Sequence, residues 1–325
     1  MRIVIMDGGA ANPGDLSWSF LEKYGEVICY EYTSPEQTVE RASGADICLT
    51  NKTVFDADII SKLPSLKYIG VLATGFNVVD LDAATKAGIV VTNIPEYATF
   101  ATAQHTIALL LELSNRVGIH NQSVQNGEWI KSPAFSYTVS PLTELSGKTI
   151  AVVGLGKIGL RTAQIASSLG MNVIGVPHKK ELYGSNVTLP DGVTNIPAMS
   201  FTDALLKADV LTFHCPLTPD TKGLLNDSAL ALLKDGAFVI NTSRGPVIDE
   251  KSVAEAIKSG KIKGFACDVL SNEPMASDNP LFGLPNTIIT PHIAWAPKET
   301  RERLLDVADK NINSFIKGRP VNKVN

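Results

Sequence analysis

Three residues of complementary chemistry recur at the same kind of place in this chain. Arg244, Glu273 and His292 each follow an apolar run that reads as a β-strand, and all three lie downstream of the glycine-rich stretch GLGKIG at residues 154–159. A guanidinium grips a carboxylate through two parallel hydrogen bonds, and an acidic neighbour holds an imidazole in its protonated, donating form. Glycines of this spacing let backbone N–H groups approach a pyrophosphate. A carboxylate grip, a proton donor and a redox carrier are together what hydride transfer to the carbonyl of a 2-keto acid requires.

Each motif also has a plainer reading. A lone GxGxxG is weak, but Gly154, Gly156 and Gly159 follow the strand-like run Thr149–Val153 and precede the helical run Ile158–Leu169, and that context favours dinucleotide binding over a mere turn. About 20 residues on, such a fingerprint normally carries an acid for the adenosine ribose. Here the run Asn172–Val176 ends in Pro177, followed by His178, Lys179 and Lys180. No carboxylate would repel a 2'-phosphate there and two cations would attract one, so NADP is favoured over NAD; the alternative is a solvated basic loop. Arg244, in INTSRGPVID, suits a ligand at a strand end or a surface or capping contact. Asp268, at the end of the next strand, suits the carboxamide of a nicotinamide or the capping of a nearby turn. Glu273 is either a partner for His292 or merely solvated, and His292, in TPHIAW, is otherwise an ordinary turn histidine.

The elements that must position these groups alternate. In the first hundred residues, strand-like runs at Arg2–Met6, Val27–Tyr32, Asp46–Thr50, Tyr68–Leu72 and Ile89–Thr92 alternate with amphipathic stretches at Asp15–Lys23, Pro35–Ala42, Asp56–Lys62 and Asp80–Ala87. This is a parallel α/β pattern. A long helix is predicted from Phe100 to Arg116, its run Ile107–Leu113 buried rather than membrane-spanning, because a span needs about 20 apolar residues. Residues 121–147 are polar and aperiodic and read as a connection or arm. A second α/β series has strands at Thr149–Val153, Asn172–Val176, Val210–Phe213, Phe238–Asn241, Phe265–Val269 and Thr287–Thr290, interrupted by the Gly- and Pro-rich stretch Pro177–Ser200, where loops and a short strand are expected. A last helix, Pro297–Lys317, is expected to cover the first domain.

At 325 residues and 44% hydrophobic, the chain is long enough for two domains. A net charge of -4 without a sustained basic run argues against nucleic acid. Acidic Asp7 interrupts the short apolar run after Arg2, so no secretory h-region forms, and no membrane association is expected. The four cysteines show no CxxC pair and the five histidines no ligand spacing with them, which points to reduced thiols, a cytoplasmic protein and no metal.

The ordered set GLGKIG, HCPLTPDTKGLLN, INTSRGPVIDE, ACDVLSNEP and TPHIAWAPKE resembles the D-isomer-specific 2-hydroxyacid dehydrogenases over essentially the whole chain. ATGFNVVDLDAA and VTNIPEYATFATAQHTIALLLEL look most like the glycerate dehydrogenase, or hydroxypyruvate reductase, branch of that family. The resemblance implies an α/β protein in which a Rossmann-type dinucleotide-binding domain, residues 100–291, is inserted into a smaller flavodoxin-like substrate domain, residues 1–99 and 292–325, with the active site in the cleft between them. It implies that Arg244 binds the substrate carboxylate, that His292 is the acid/base and that Glu273 pairs with it. Thr74 and Gly75 would contribute to the substrate carboxylate, with Thr74, Arg244 and His292 also bordering the nicotinamide, and Lys52 would reach the substrate. Lys157 and Ile158 would offer amides to the pyrophosphate, Cys215 and Thr221 would border the adenosine half, and Thr242 would flank the nicotinamide riboside. Hydroxypyruvate is the favoured substrate and glyoxylate a second, with a homodimer as the assembly. Pro177, in place of the family's usual acid, departs from NAD preference. Other readings within this fold are a dinucleotide-sensing corepressor, or formate or phosphite oxidation; formate is disfavoured because that branch pairs its histidine with glutamine.

Overall fold

Short apolar runs become strands, and burial on both faces explains why the central ones, such as Ile47–Thr50, Tyr68–Val71, Val210–Phe213 and Ala237–Asn241, lack a polar alternation. The computed structural model describes residues 1–325, which form two units, Met1–Ala98 with Trp295–Asn325, and Thr99–Ala294.

In the first unit, β1 (Arg2–Ile5), β2 (Glu26–Cys29), β3 (Ile47–Thr50), β4 (Tyr68–Val71) and β5 (Val90–Thr92) form one parallel sheet in the order β2-β1-β3-β4-β5. This is the flavodoxin-like order. Aspartates start two of the connecting helices: Asp56 accepts from the Ile59 N–H ahead of Ala57–Ser61, and Asp80 from Ala83 N–H ahead of Leu81–Lys86. The helix expected over Asp15–Lys23 is instead a 3-10 turn at Ser19–Tyr24. The Asn12 side chain is the reason: it accepts from the Gly14 and Leu16 N–H groups and donates to the Leu16 carbonyl, tying residues 12–16 into a turn.

The helix Lys298–Ile316 returns to this unit, placing Leu304, Leu305, Ala308 and Ile312 against Ile3, Ile5, Tyr68 and Leu72. Polar contacts fix its register. The largely buried Arg301 holds both oxygens of Asp15 at 2.6 and 2.7 Å and keeps that carboxyl below the usual carboxylate range. Asn311, 1% exposed, donates to the Asn93 carbonyl at 2.9 Å and accepts from Asn322, while the buried Tyr68 hydroxyl lies 2.6 Å from Thr92 Oγ1.

In the second unit, β6 (Thr149–Val153), β7 (Asn172–Val176), β8 (Asn186–Thr188), β9 (Asn195–Pro197), β10 (Val210–Phe213), β11 (Ala237–Asn241), β12 (Ile262–Cys267) and β13 (Thr287–Ile289) follow in sequence. Six of them form a parallel sheet in the order β13-β12-β11-β10-β6-β7, so the loops after β6, β10, β11, β12 and β13 all leave from one edge. The helix Thr99–Asn115 covers one face, burying Ile107, Leu109, Leu110 and Leu113 among Ile150, Val152, Phe238 and Ile240.

Two segments differ from the sequence expectation. Pro177–Ser200 holds the antiparallel β8–β9 hairpin, whose end bridges β7 through Gly175 and Ala198 at the place a third Rossmann strand would take. The stretch 121–147, expected to be an aperiodic arm, contains the end of a helix at Val117–Gln125 and a helix at Glu128–Lys131. Neither buries a residue within the chain, so no apolar period marks them.

Replacing Asn311 with leucine is expected to cost about 2 kcal/mol, because the Asn322 amide loses its acceptor and the buried Asn93 carbonyl its donor. Urea unfolding measures this, and an unchanged midpoint would show that the network contributes nothing to docking the helix.

Candidate active site

Parallel strands place their following loops side by side, and three adjacent strands each deliver one member of the trio. Arg244 follows β11, Glu273 follows β12 and His292 follows β13. Glu273 and His292 meet directly, with His292 Nδ1 2.7 Å from Glu273 Oε2, both side chains about one-third exposed at 28% and 32%. The other carboxylate oxygen, Oε1, accepts from the Leu270 N–H at 3.0 Å, which locks the carboxylate to its own loop. His292 has φ +55°, a left-handed conformation uncommon outside glycine, and its N–H is held by the Thr290 carbonyl at 2.9 Å.

Arg244 is exposed at the end of a turn shaped by Asn241. That buried side chain donates to the Arg244 carbonyl at 2.9 Å and accepts from both the N–H and the hydroxyl of Ser243. The next residue is Gly245 because the chain there runs against the Leu270–Ser271 backbone: a Cβ would lie 1.9 Å from the Leu270 carbonyl carbon. The arginine turn therefore packs on the loop that carries Glu273. One guanidinium nitrogen, Nη1, donates to the Ser243 carbonyl at 2.7 Å, one of the five donors the group possesses.

The glycine loop has the shape a dinucleotide needs. Gly154, at φ +95°, runs so close to the end of β10 that a Cβ would lie 2.7 Å from the His214 and Cys215 backbone. A Cβ on Gly159 would lie 1.9 Å from the Gly154 carbonyl oxygen, so the helix start is packed directly on the turn. Gly156, by contrast, faces open space and caps the helix Lys157–Ser168. Tight turn, open approach and close helix packing are the three tasks of such glycines. Lys157 and Ile158 open that helix, where N–H groups lack intrahelical partners.

Several other residues have hydroxyls or carboxylates already committed within the protein. Thr242 is buried with Oγ1 2.9 Å from Thr106 Oγ1, and the Thr221 hydroxyl donates to the Pro216 carbonyl at 2.6 Å while accepting from the Thr218 N–H. Asp268, 1% exposed, caps the turn beyond β13: Oδ1 accepts from Ile293 N–H and Oδ2 from Ala294 N–H, each at 2.8 Å, and Oδ1 also accepts from the Thr290 hydroxyl at 2.6 Å. Burial pushes the Cys215 thiol up to about 11 and the His214 imidazole down to about 3, so both are neutral walls behind the glycine loop. His178 and Lys179 are exposed just after the buried Pro177.

Lys52, Thr74 and Gly75 belong to the other unit. Lys52 is exposed on a loop that the buried Asp7 carboxylate gathers by accepting from the N–H groups of Asn51, Lys52 and Thr53. Thr74 donates its hydroxyl to the Ile94 carbonyl at 2.8 Å, and its own carbonyl accepts from Asn93; Gly75 follows half-buried. Asp7, Asn241, His105, Thr106 and Thr290 were not singled out from sequence, and the only signal was a polar residue beside or within an otherwise apolar run.

A parallel sheet, a glycine cradle and an acid-held imidazole at its carboxyl edge define a dinucleotide-dependent dehydrogenase. Residues 107–294 match the family model described as D-isomer specific 2-hydroxyacid dehydrogenase, NAD binding domain. The chain is 45% identical to a hydroxypyruvate reductase of Blautia hydrogenotrophica, covering 100% of both chains, and 37% identical to a glycerate dehydrogenase of Methylorubrum extorquens, covering 99% and 98%. It superposes with TM-score 0.81 at 27% identity, covering 100% of both chains, on the D-lactate dehydrogenase of Aquifex aeolicus complexed with NAD and lactic acid. The chain belongs to the D-isomer specific 2-hydroxyacid dehydrogenases. It is accordingly an enzyme that uses a nicotinamide dinucleotide to interconvert a small 2-keto acid and its 2-hydroxy acid.

Gly159→Ala is expected to weaken dinucleotide binding by more than about tenfold, since the added methyl must push the helix start off the Gly154 turn. Titration of reduced-carrier fluorescence checks this; wild-type affinity would show that the cradle tolerates the shift.

Proposed function

We propose that this enzyme reduces hydroxypyruvate to D-glycerate, with glyoxylate as a second substrate, and catalyses the reverse oxidation, with His292 as the acid/base. The observation that carries the reading is the 2.7 Å contact between Glu273 Oε2 and His292 Nδ1. A carboxylate only accepts, so it fixes a proton on Nδ1 and leaves Nε2 as the ring nitrogen that serves the substrate.

In the reductive direction Nε2–H donates its proton to the oxygen that develops negative charge as the C2 carbonyl is reduced. Glu273 keeps the ring oriented throughout and offsets its positive charge before that proton leaves. Arg244 binds the substrate carboxylate through two N–H donors, which fixes the carbonyl face, and in the oxidative direction Nε2 accepts the hydroxyl proton. The residues that would hold the carrier are Gly154, Gly156, Lys157, Ile158 and Gly159 at its pyrophosphate. When bound, the carrier supplies the hydride to C2 and receives it in the reverse reaction.

NADPH is the preferred carrier in this reading, supported by the loop after β7: Pro177 stands where an acid would bond the ribose, followed by exposed His178, Lys179 and Lys180. The assembly is a homodimer, supported by the helices at Val117–Gln125 and Glu128–Lys131 and the loop beyond them, where Ile130 is 90% and Phe135 91% exposed. A cytoplasmic setting is supported by the unpaired, buried thiols of Cys48, Cys215 and Cys267. The substrate choice is supported by the names of the two relatives, hydroxypyruvate reductase and glycerate dehydrogenase, each matched end to end.

Steady-state assays with hydroxypyruvate, glyoxylate, pyruvate and phosphohydroxypyruvate, each with NADPH and NADH, should give the highest kcat/KM for hydroxypyruvate with NADPH. Preference for pyruvate would overturn the substrate, and preference for NADH the carrier. His292→Ala should lower kcat by about a hundredfold or more with carrier affinity retained, whereas Arg244→Lys should act mainly by raising the substrate KM. Undiminished turnover in the first, or a normal KM in the second, would remove that residue from its role. Sedimentation should return twice the chain mass.

A further inference from the structure

The helix Thr99–Asn115 presents two consecutive polar residues to the carboxyl edge of the sheet. Thr106 reaches Thr242 in the arginine turn, and His105 reaches the loop of the reactive histidine. His105 Nε2 lies 3.0 Å from Thr290 Oγ1 and 3.5 Å from Asp268 Oδ1, with the His105 side chain 20% exposed.

We propose that His105 is a positioning residue for His292, acting through Thr290 and Asp268. The deduction starts from the hydroxyl of Thr290, which has one proton to give. Its contact of 2.6 Å with Asp268 Oδ1 takes that proton, because a carboxylate can only accept. Thr290 Oγ1 is therefore the acceptor in its contact with His105, and His105 carries its proton on Nε2.

The alternative acceptor for the Thr290 hydroxyl is the Cys267 carbonyl, 3.4 Å away. With the His105 donor in place, the hydroxyl is held towards Asp268. Asp268 in turn pins the N–H groups of Ile293 and Ala294, the two residues directly after His292. Those bonds hold His292 at φ +55°, a left-handed conformation uncommon outside glycine, and so aim its ring at Glu273. Asp268 is buried, and each donor lost from it leaves charge less compensated, which couples the three residues tightly.

This inference rests on the acid/base reading of His292, and two kinds of measurement separate the two. His105→Leu and Thr290→Val remove the donor and the hydroxyl while keeping volume; His105→Gln and Thr290→Ser restore them. The first pair should lower kcat by about tenfold with keto-acid KM changed less than twofold, since displacement of a proton donor acts on the chemical step. The second pair should recover kcat to within about threefold of wild type. The double variant His105→Leu/Thr290→Val should lose no more than either single, because both act along one path.

Backbone hydrogen exchange, read by mass spectrometry on the segment containing Ile293 and Ala294, reports the clamp without any turnover. It should quicken by about tenfold in His105→Leu and Thr290→Val and stay slow in the restoring pair. Unchanged exchange and unchanged kcat in the first pair would overturn the proposal, as would equal losses in His105→Leu and His105→Gln, or a loss confined to KM. Full turnover in His292→Ala would instead overturn the acid/base reading, and quickened exchange would still support the clamp.

Discussion

A carboxylate taken out of water must be surrounded by donors, and in this protein that requirement is met at the carboxyl edge of the sheet. Asp268 ends up almost fully buried after β12, and the nearest donors are the N–H groups of the chain leaving β13 together with the Thr290 hydroxyl. The same segment makes the left-handed turn at His292, whose imidazole meets Glu273, five residues beyond Asp268 on the same loop. The Arg244 turn is fitted against this loop in its turn, through the close approach of Gly245 to Leu270. Asp268, the Glu273 loop and the Arg244 turn are thus packed together across three adjacent strands.

Much of this was legible in the sequence because it depends on local rules. Strand positions such as Thr149–Val153, Asn172–Val176 and Val210–Phe213 were readable to the residue, since buried parallel strands are continuous apolar runs with sharp polar ends. The glycines of GLGKIG carried their own structural reason, and three chemically complementary residues at successive strand ends pointed to one edge. The elements that escaped are those whose shape is set by something other than periodicity. The turn at residues 12–16 is made by one asparagine side chain, and the helices at Val117–Gln125 and Glu128–Lys131 have no buried face to announce them.

The roles of individual polar residues were less legible than their presence. Asp268 and Thr242 were readable as polar groups at strand ends, but whether such a group serves a ligand or the protein depends on what packs opposite. For both residues a partner is the helix Thr99–Asn115, which lies far from them in the sequence. Thr221 likewise spends its hydroxyl on its own turn. Each of these groups already makes hydrogen bonds within the protein.

The two-segment composition of the Met1–Ala98 and Trp295–Asn325 unit has a consequence for biosynthesis. A ribosome releases the strands β1 to β5 early, yet the helix that covers Ile3, Ile5, Tyr68 and Leu72 emerges only after the whole of Thr99–Ala294 has been made. The intervening unit is contiguous and can complete itself first, while the earlier sheet waits with one apolar face open to water. Until that helix emerges, the apolar surface of Ile3, Ile5, Tyr68 and Leu72 lacks the partner that covers it in the finished fold.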